Sequence, residues 1–147
     1  MKILIVDDSP GQRALLRELF APHGHCTEAE DGAAALELFG QALEAGAPFT
    51  LVVLDVLMPG LDGHATLARL KDLEHRHNVS PECSARCIMV SCLQTTASIM
   101  RAQYEAGADA YLVKPVHAEL VEELLRSLDL APNPLLDGVP EDADVPA

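Results

Sequence analysis

The stretch Leu51–Gly63, LVVLDVLMPGLDG, decides how the chain is read. Four apolar residues lead to one carboxylate, Asp55, and Pro59, Gly60, Asp62 and Gly63 then mark a loop. A short apolar run bounded by turn residues reads as a strand buried on both faces. Asp55 thus stands where a buried strand gives out into a loop. Turn capping alone explains a single acid in that place. In open parallel sheets, however, ligands bind in the crevice at the carboxyl ends of the strands. The ends of the other strands therefore decide what Asp55 means.

The first apolar run, Lys2–Val6, ends in Asp7 and Asp8. The run Cys87–Val90 ends in Ser91, and Ala110–Val113 ends in Lys114 and Pro115. In a parallel sheet these ends share one edge. Three carboxylates, a hydroxyl and an ammonium would converge there. Each residue has an ordinary explanation as a strand end or surface group; four strands ending this way together do not.

Between the runs lie segments of helical period. Leu15, Leu16 and Leu19 recur after Ser9-Pro10, with Arg13, Arg17 and Glu18 on the other side. His25–Ala29 is a short, weak strand. Asp31-Gly32 opens an Ala/Leu-rich helix that stops near Gly46, with Gly40 inside it. A helix from about Gly63 to His75 carries Leu67, Leu70 and Leu73. The polar stretch Glu74–Ala85, with Pro81, reads as a long connection. Thr95–Ala106 is predicted helical, as is His117–Leu128, where Leu120, Val121, Leu124, Leu125 and Leu128 share a side. Five repeats of strand then helix imply an α/β fold with parallel strands, right-handed crossovers and helices on both faces.

The chain has 147 residues, 49% of them hydrophobic but only 3% aromatic, so its core must be aliphatic. A formal charge of −13 argues against nucleic acid and against anionic membrane surfaces. No apolar run approaches a membrane span, and the N-terminus does not resemble a signal peptide. A cytoplasmic protein is the expectation. Residues 1–130 are expected to form one domain. Residues 131–147 hold four of the ten prolines, four acids and no base, and read as a disordered acidic tail. Without that tail's four acids the formal charge is still −9.

Cys26 and Cys92 sit in apolar contexts and read as small core residues. His75, His77, Cys83 and Cys87 lie close in HRHNVSPECSARC and offer soft metal ligands, but their spacing matches no strong zinc pattern. The alternative is a surface loop.

Asp7-Asp8, LDVLMPGLDG around Asp55, VSC at Val90–Cys92 and GADAYLVKP at Gly107–Pro115, in this order, resemble the receiver domains of response regulators, the CheY-like family. The resemblance covers about Lys2–Leu128. It implies a flavodoxin-like (βα)5 three-layer sandwich with strand order 2-1-3-4-5. It further implies that Asp55 accepts a phosphoryl group, and that Asp7, Asp8, Asp55 and the backbone carbonyl of Leu57 hold Mg²⁺. Ser91 and Lys114 would bind phosphoryl oxygens, with a cis peptide before Pro115. Ser91 and Tyr111 would form a switch that alters the face made by the fourth helix, fifth strand and fifth helix. The implied partners are a sensor histidine kinase or phosphotransfer protein and a downstream target protein, with the chain a monomer or weak dimer. Such a chain is a stand-alone signalling protein, not an enzyme in the ordinary sense.

The sequence departs from the family pattern at Cys92, where a small residue is usual, and at Val116, where an aromatic is common. Leu57 and Leu93 occupy positions that tune dephosphorylation; both are apolar and cannot orient water, which implies a long-lived phosphoryl group. Two rival readings are an aspartyl-nucleophile phosphohydrolase and a phosphorylation-independent interaction module. The first would place D-x-D after the first strand, which Asp7-Asp8 does not. The intact acid set argues against the second.

Overall fold

A computed structural model describes residues 1–56, 58, 60–91 and 108–130 of the chain. Strands β1 (Lys2–Val6), β2 (His25–Ala29), β3 (Leu51–Asp55), β4 (Arg86–Ser91) and β5 (Ala110–Val113) form one sheet of order β2-β1-β3-β4-β5. All four pairings are parallel. This is the flavodoxin-like order that the receiver resemblance implies. Helices α1 (Pro10–Phe20), α2 (Gly32–Glu44), α3 (Gly63–Arg76) and α4 (Ala118–Ser127) accompany the strands. The predicted helix Thr95–Ala106, the residues Leu57, Cys92 and Leu93, and the tail 131–147 lie outside the described residues.

Met1–Val116 forms one compact unit. Within it β3 is buried at every position, as its unbroken apolar run requires. Leu4, Val6, Val52, Leu54, Cys87 and Met89 point to one face, where they meet Phe39 of α2 and Leu67 and Leu70 of α3. The alternating residues Ile3, Ile5, Val53 and Ile88 are as fully buried and face the other way, toward the side on which α1 buries Leu16 and Phe20. Each face of the sheet thus has its own helical cover.

The helices start where short polar side chains satisfy the first free amides. Ser9 Oγ accepts from Gln12 N, Asp31 Oδ1 from Ala34 N and Asp62 Oδ1 from Ala65 N. Gly46, at φ +72°, follows the end of α2, and Gly40 leaves that helix unbroken. The second unit, described through residue 130, contains α4 with Val121 and Leu125 buried.

Two expectations from periodicity fail. Leu15 is 42% exposed and Leu120 is 41% exposed, so neither belongs to the buried stripe of its helix. The buried ridge of α1 is the i, i+4 pair Leu16 and Phe20, and Leu15 is turned about 100° from it. The stretch read as a long connection from Glu74 to Ala85 begins inside α3 and contains a single 3₁₀ turn at Pro81–Cys83.

That connection is fastened by a buried acid. Glu74 Oε1 accepts from Ser84 Oγ at 2.5 Å and Oε2 accepts from Ala85 N at 2.7 Å. Lys71 Nζ stands 3.8 Å from Glu74 and donates to Ser84 Oγ and to the Ala85 carbonyl. Glu74→Ala strands the Ala85 amide and the Ser84 hydroxyl. It is expected to lower stability by about 2–3 kcal/mol, read as a shift of the urea unfolding midpoint.

Candidate functional site

The sheet register brings the strand ends together. Val6 lies beside Leu54, Asp55 beside Val90, and Ser91 beside Val113. The residues that follow β1 and β5, Asp7 and Lys114, therefore reach the same edge as Asp55 and Ser91. Backbone hydrogen bonds continue the pairing past the strands: Asp7 N donates to the Ala29 carbonyl, Val56 N to that of Val90, and Lys114 N to that of Ser91.

At this edge Asp7, Asp8 and Asp55 each offer a carboxylate oxygen, all within 4.8 Å of one another. Asp7 and Asp55 are buried and Asp8 is exposed. Asp7 Oδ1 accepts from Ser9 N at 2.9 Å, and its Oδ2 lies 3.3 Å from Lys114 Nζ. The same ammonium is 3.7 Å from Asp55 Oδ1. Two carboxylates about 5 Å apart repel by roughly 3 kcal/mol at an effective dielectric constant of about 20. With three acids and one lysine the cluster carries a net charge of −2. An all-oxygen set with that deficit suits a hard divalent cation such as Mg²⁺.

Ser91 is buried at the end of β4, one residue past the register partner of Asp55. Tyr111 is half-buried on β5, opposite Met89, and packs against the core cluster on the α2–α3 side. The Lys114–Pro115 bond is cis. The Leu57 carbonyl lies outside the described residues.

The loop after Asp55 is shaped by two glycines. Gly60 has φ +75°, a conformation that L side chains seldom adopt. Gly63 begins α3, and its amide donates to the Val56 carbonyl at 2.9 Å. A Cβ there would overlap the Asp55 carbonyl oxygen and lie 2.8 Å from Val56 Cα. The start of α3 can approach the site-bearing strand only because that atom is absent.

The His/Cys set does not assemble. Among the described residues, the three aspartates are the group gathered closely enough to hold a metal ion. Cys87 faces the core, and burial pushes its thiol up to about 12, which opposes the thiolate a metal needs. Cys83 is exposed on the 3₁₀ turn.

Residues 3–126 match the model of the response regulator receiver domain family. The chain belongs to that family. This receiver is 32% identical over 126 residues to the chemotaxis protein CheY of Bacillus subtilis, an alignment covering 84% of this chain and 93% of CheY. It is 31% identical to the transcriptional regulatory protein TcrA of Mycobacterium tuberculosis over 87% of this chain, but spans only 46% of TcrA. Among solved structures it is similar to the CheX–CheY–BeF3–Mg²⁺ complex from Borrelia burgdorferi. The TM-score there is 0.71 at 25% identity, covering 87% of this chain and 89% of that one. Its fold also matches Vibrio cholerae CheY4, with a TM-score of 0.69 at 24% identity over 86% of this chain and 96% of that one. Receiver domains belong to two-component signalling. They are generally phosphoacceptors, with Mg²⁺ binding at an acidic pocket typical of them.

The parts that two residues play here escaped the sequence reading: Gly63 was legible as a loop residue and helix start but not as a close approach to β3, and Arg13 only as part of the polar side of α1. Arg13 Nη1 in fact donates to the Asp7 carbonyl at 2.7 Å. The glycine can be tested directly. Both atoms that crowd position 63 are backbone, so they cannot rotate away. Gly63→Ala is expected to cost about 1–3 kcal/mol of stability, and to shift the amide resonances of Asp55 and Val56 more than those of β2.

Proposed function

We propose that this receiver accepts a phosphoryl group on Asp55 from a histidine kinase or phosphotransfer protein and passes the signal on by changing its affinity for a target protein. The observation that supports this is the convergence of Asp7, Asp8 and Lys114 on Asp55, from the ends of three strands, at one edge of an aliphatic sheet. In this reading an Asp55 carboxylate oxygen attacks phosphorus. The P–N bond of a phosphohistidine breaks, its electron pair stays with the imidazole, and a mixed anhydride remains on Asp55. Asp7, Asp8 and Asp55, with the Leu57 carbonyl, are the residues proposed to hold Mg²⁺. Bound there, the cation supplies positive charge against the developing phosphoryl charge.

Lys114 has a second part in the same step. Its ammonium lies between Asp7 and Asp55 and is well placed to turn toward an oxygen of the arriving group. Ser91, on the neighbouring strand end, is proposed to donate its hydroxyl to another. Beside Lys114, a shallow groove of about 230 Å³ is lined by Gln12, Leu15 and Leu16 of α1 and by Pro115 and Val116. Leu15, exposed and apolar, gives a phosphodonor protein a foothold next to the acceptor.

Incubation with acetyl phosphate and Mg²⁺ is expected to add one phosphoryl group, seen by intact-mass spectrometry. Asp55→Asn, or excess chelator, should abolish the increment. An unmodified wild-type chain, or an Asp55→Asn chain modified as fast as wild type, would overturn the assignment. Steady release of phosphate from simple esters would instead favour a phosphohydrolase.

The output is proposed to run through β5. A phosphoryl group carries up to two negative charges, a net gain of about one over the ionised Asp55 carboxylate it caps. Ser91 is drawn toward it, and Tyr111, four residues from Pro115 on the adjacent strand, repacks. Beryllofluoride with Mg²⁺ is expected to move the amide signals of Ser91 and Tyr111 while leaving β2 in place. Unchanged signals at both residues would rule out this route.

A further inference from the structure

Behind the acid pocket lies a chain of charges that the phosphoacceptor reading does not use. Glu28 on β2 receives Arg13 Nε on Oε1 at 3.0 Å and Arg17 Nη1 on Oε2 at 2.6 Å. The hydrogen bond from Arg17, and secondly that from Arg13, hold the Glu28 carboxyl below its ordinary range against the opposing effect of burial. Glu28 is therefore a fixed anion at neutral pH. Arg13 is the partly buried member, its side chain 17% exposed against 55% for Arg17. With Nε committed to Glu28, its Nη1 donates to the backbone carbonyl of Asp7.

That carbonyl belongs to the peptide joining Asp7 to Asp8. The Asp7 amide is already held by the Ala29 carbonyl, and the Asp7 carboxylate by Ser9 N and Lys114. The orientation of the Asp7–Asp8 peptide sets where the exposed Asp8 side chain leaves the backbone. Arg13 is the group that pins this peptide from its oxygen side, and Glu28 fixes Arg13 to the neighbouring strand. Arginine suits the task because its planar fork offers donors in two directions at once.

We propose that Arg13 is a positioning residue for the acid pocket: tied to β2 through Glu28, it holds the Asp7–Asp8 peptide in the orientation that lets both carboxylates meet a divalent cation. This rests on the pocket being a Mg²⁺ site. Arg13 itself touches no cation and no reacting atom. As a positive charge beside the pocket it would by itself repel a cation. Positioning and simple electrostatics therefore predict effects of opposite sign when it is removed.

The test is calorimetric titration of Mg²⁺ into the unphosphorylated full chain, with amide spectra of Asp7–Ser9 followed alongside. Arg13→Lys keeps the charge but cannot reach both partners. It is expected to weaken Mg²⁺ about tenfold, the low end for residues that orient metal ligands. Arg13→Ala should weaken it at least as much. Arg17→Ala leaves both Arg13 bonds in place and should stay within about twofold of wild type. Wild-type or tighter affinity in folded Arg13→Lys would overturn the proposal, as would an equal loss in Arg17→Ala. If wild type itself takes up no Mg²⁺, the site reading fails and the positioning role with it. Binding by wild type with no loss in Arg13→Lys sinks the positioning role alone.

Discussion

Everything at the functional edge of this protein depends on holding like charges together. Asp7, Asp8 and Asp55 have oxygens within 4.8 Å of one another, and two of the three side chains are buried. Nothing in an aliphatic core favours that. The repulsion is tolerated because it is set against fixed partners: the Ser9 amide, the Lys114 ammonium, and a sheet whose register leaves the strand ends no room to drift. The compensation is incomplete, since one lysine cannot neutralise three carboxylates. The residual negative charge is what a divalent cation at this edge would offset. The two carboxylate contacts of Lys114, at 3.3 and 3.7 Å, are longer than a strong charge-assisted hydrogen bond.

The rigidity behind that edge is of an ordinary kind. β1, β3 and β4 are buried on both faces, so a slip of one residue would trade every inward side chain for its neighbour. With only three phenylalanines in the chain, the helices pack on the sheet largely through Leu, Ile, Val and Ala, with Phe39 stacked on Phe49 at 6.3 Å. Glu74 spends both oxygens on the Ser84–Ala85 corner, and Asp109 accepts from the Cys87 amide where β4 enters the sheet. The entrance of β4 is thus latched by hydrogen-bonded acids, while the strand exits carry the residual negative charge.

This division explains what could be read from the sequence. Four of the strands were legible because each is an apolar run with a polar stop, while β2, HCTEA, was only weakly so, and the site was legible because its residues are those stops. Tyr111 and Ser91 could be placed by their strands. What the sequence hid was lateral. Helical period marked Leu15 and Leu120 as core, yet both are exposed, because period gives a stripe without saying which of two adjacent leucines heads it. It put Leu73 on the apolar side of its helix and gave Glu74 to the polar connection, although the glutamate is the more deeply buried of the two. A charged residue on the polar side of a helix looks solvated until its tertiary partner is known. Arg13 and Glu28, fifteen residues apart, escaped for that reason.

The placement of Arg13 bears on how the site tolerates its own operation. If Lys114 turns toward a phosphoryl group, Asp7 loses the partner on its Oδ2. What then keeps Asp7 in place is the backbone: its amide on Ala29, its carbonyl on Arg13, and the Ser9 amide on its other carboxylate oxygen. None of those three contacts involves a group that has to move. A site that must exchange one counter-charge for another needs such a fixed frame. Without it, relief of one repulsion would let the acid turn open instead of tightening around the incoming charge. The free energy available to shift a partner-binding surface is bounded by the difference in interaction between the two states. On the proposed route, a stiff acid turn would leave that difference to Ser91 and β5 instead of to its own relaxation.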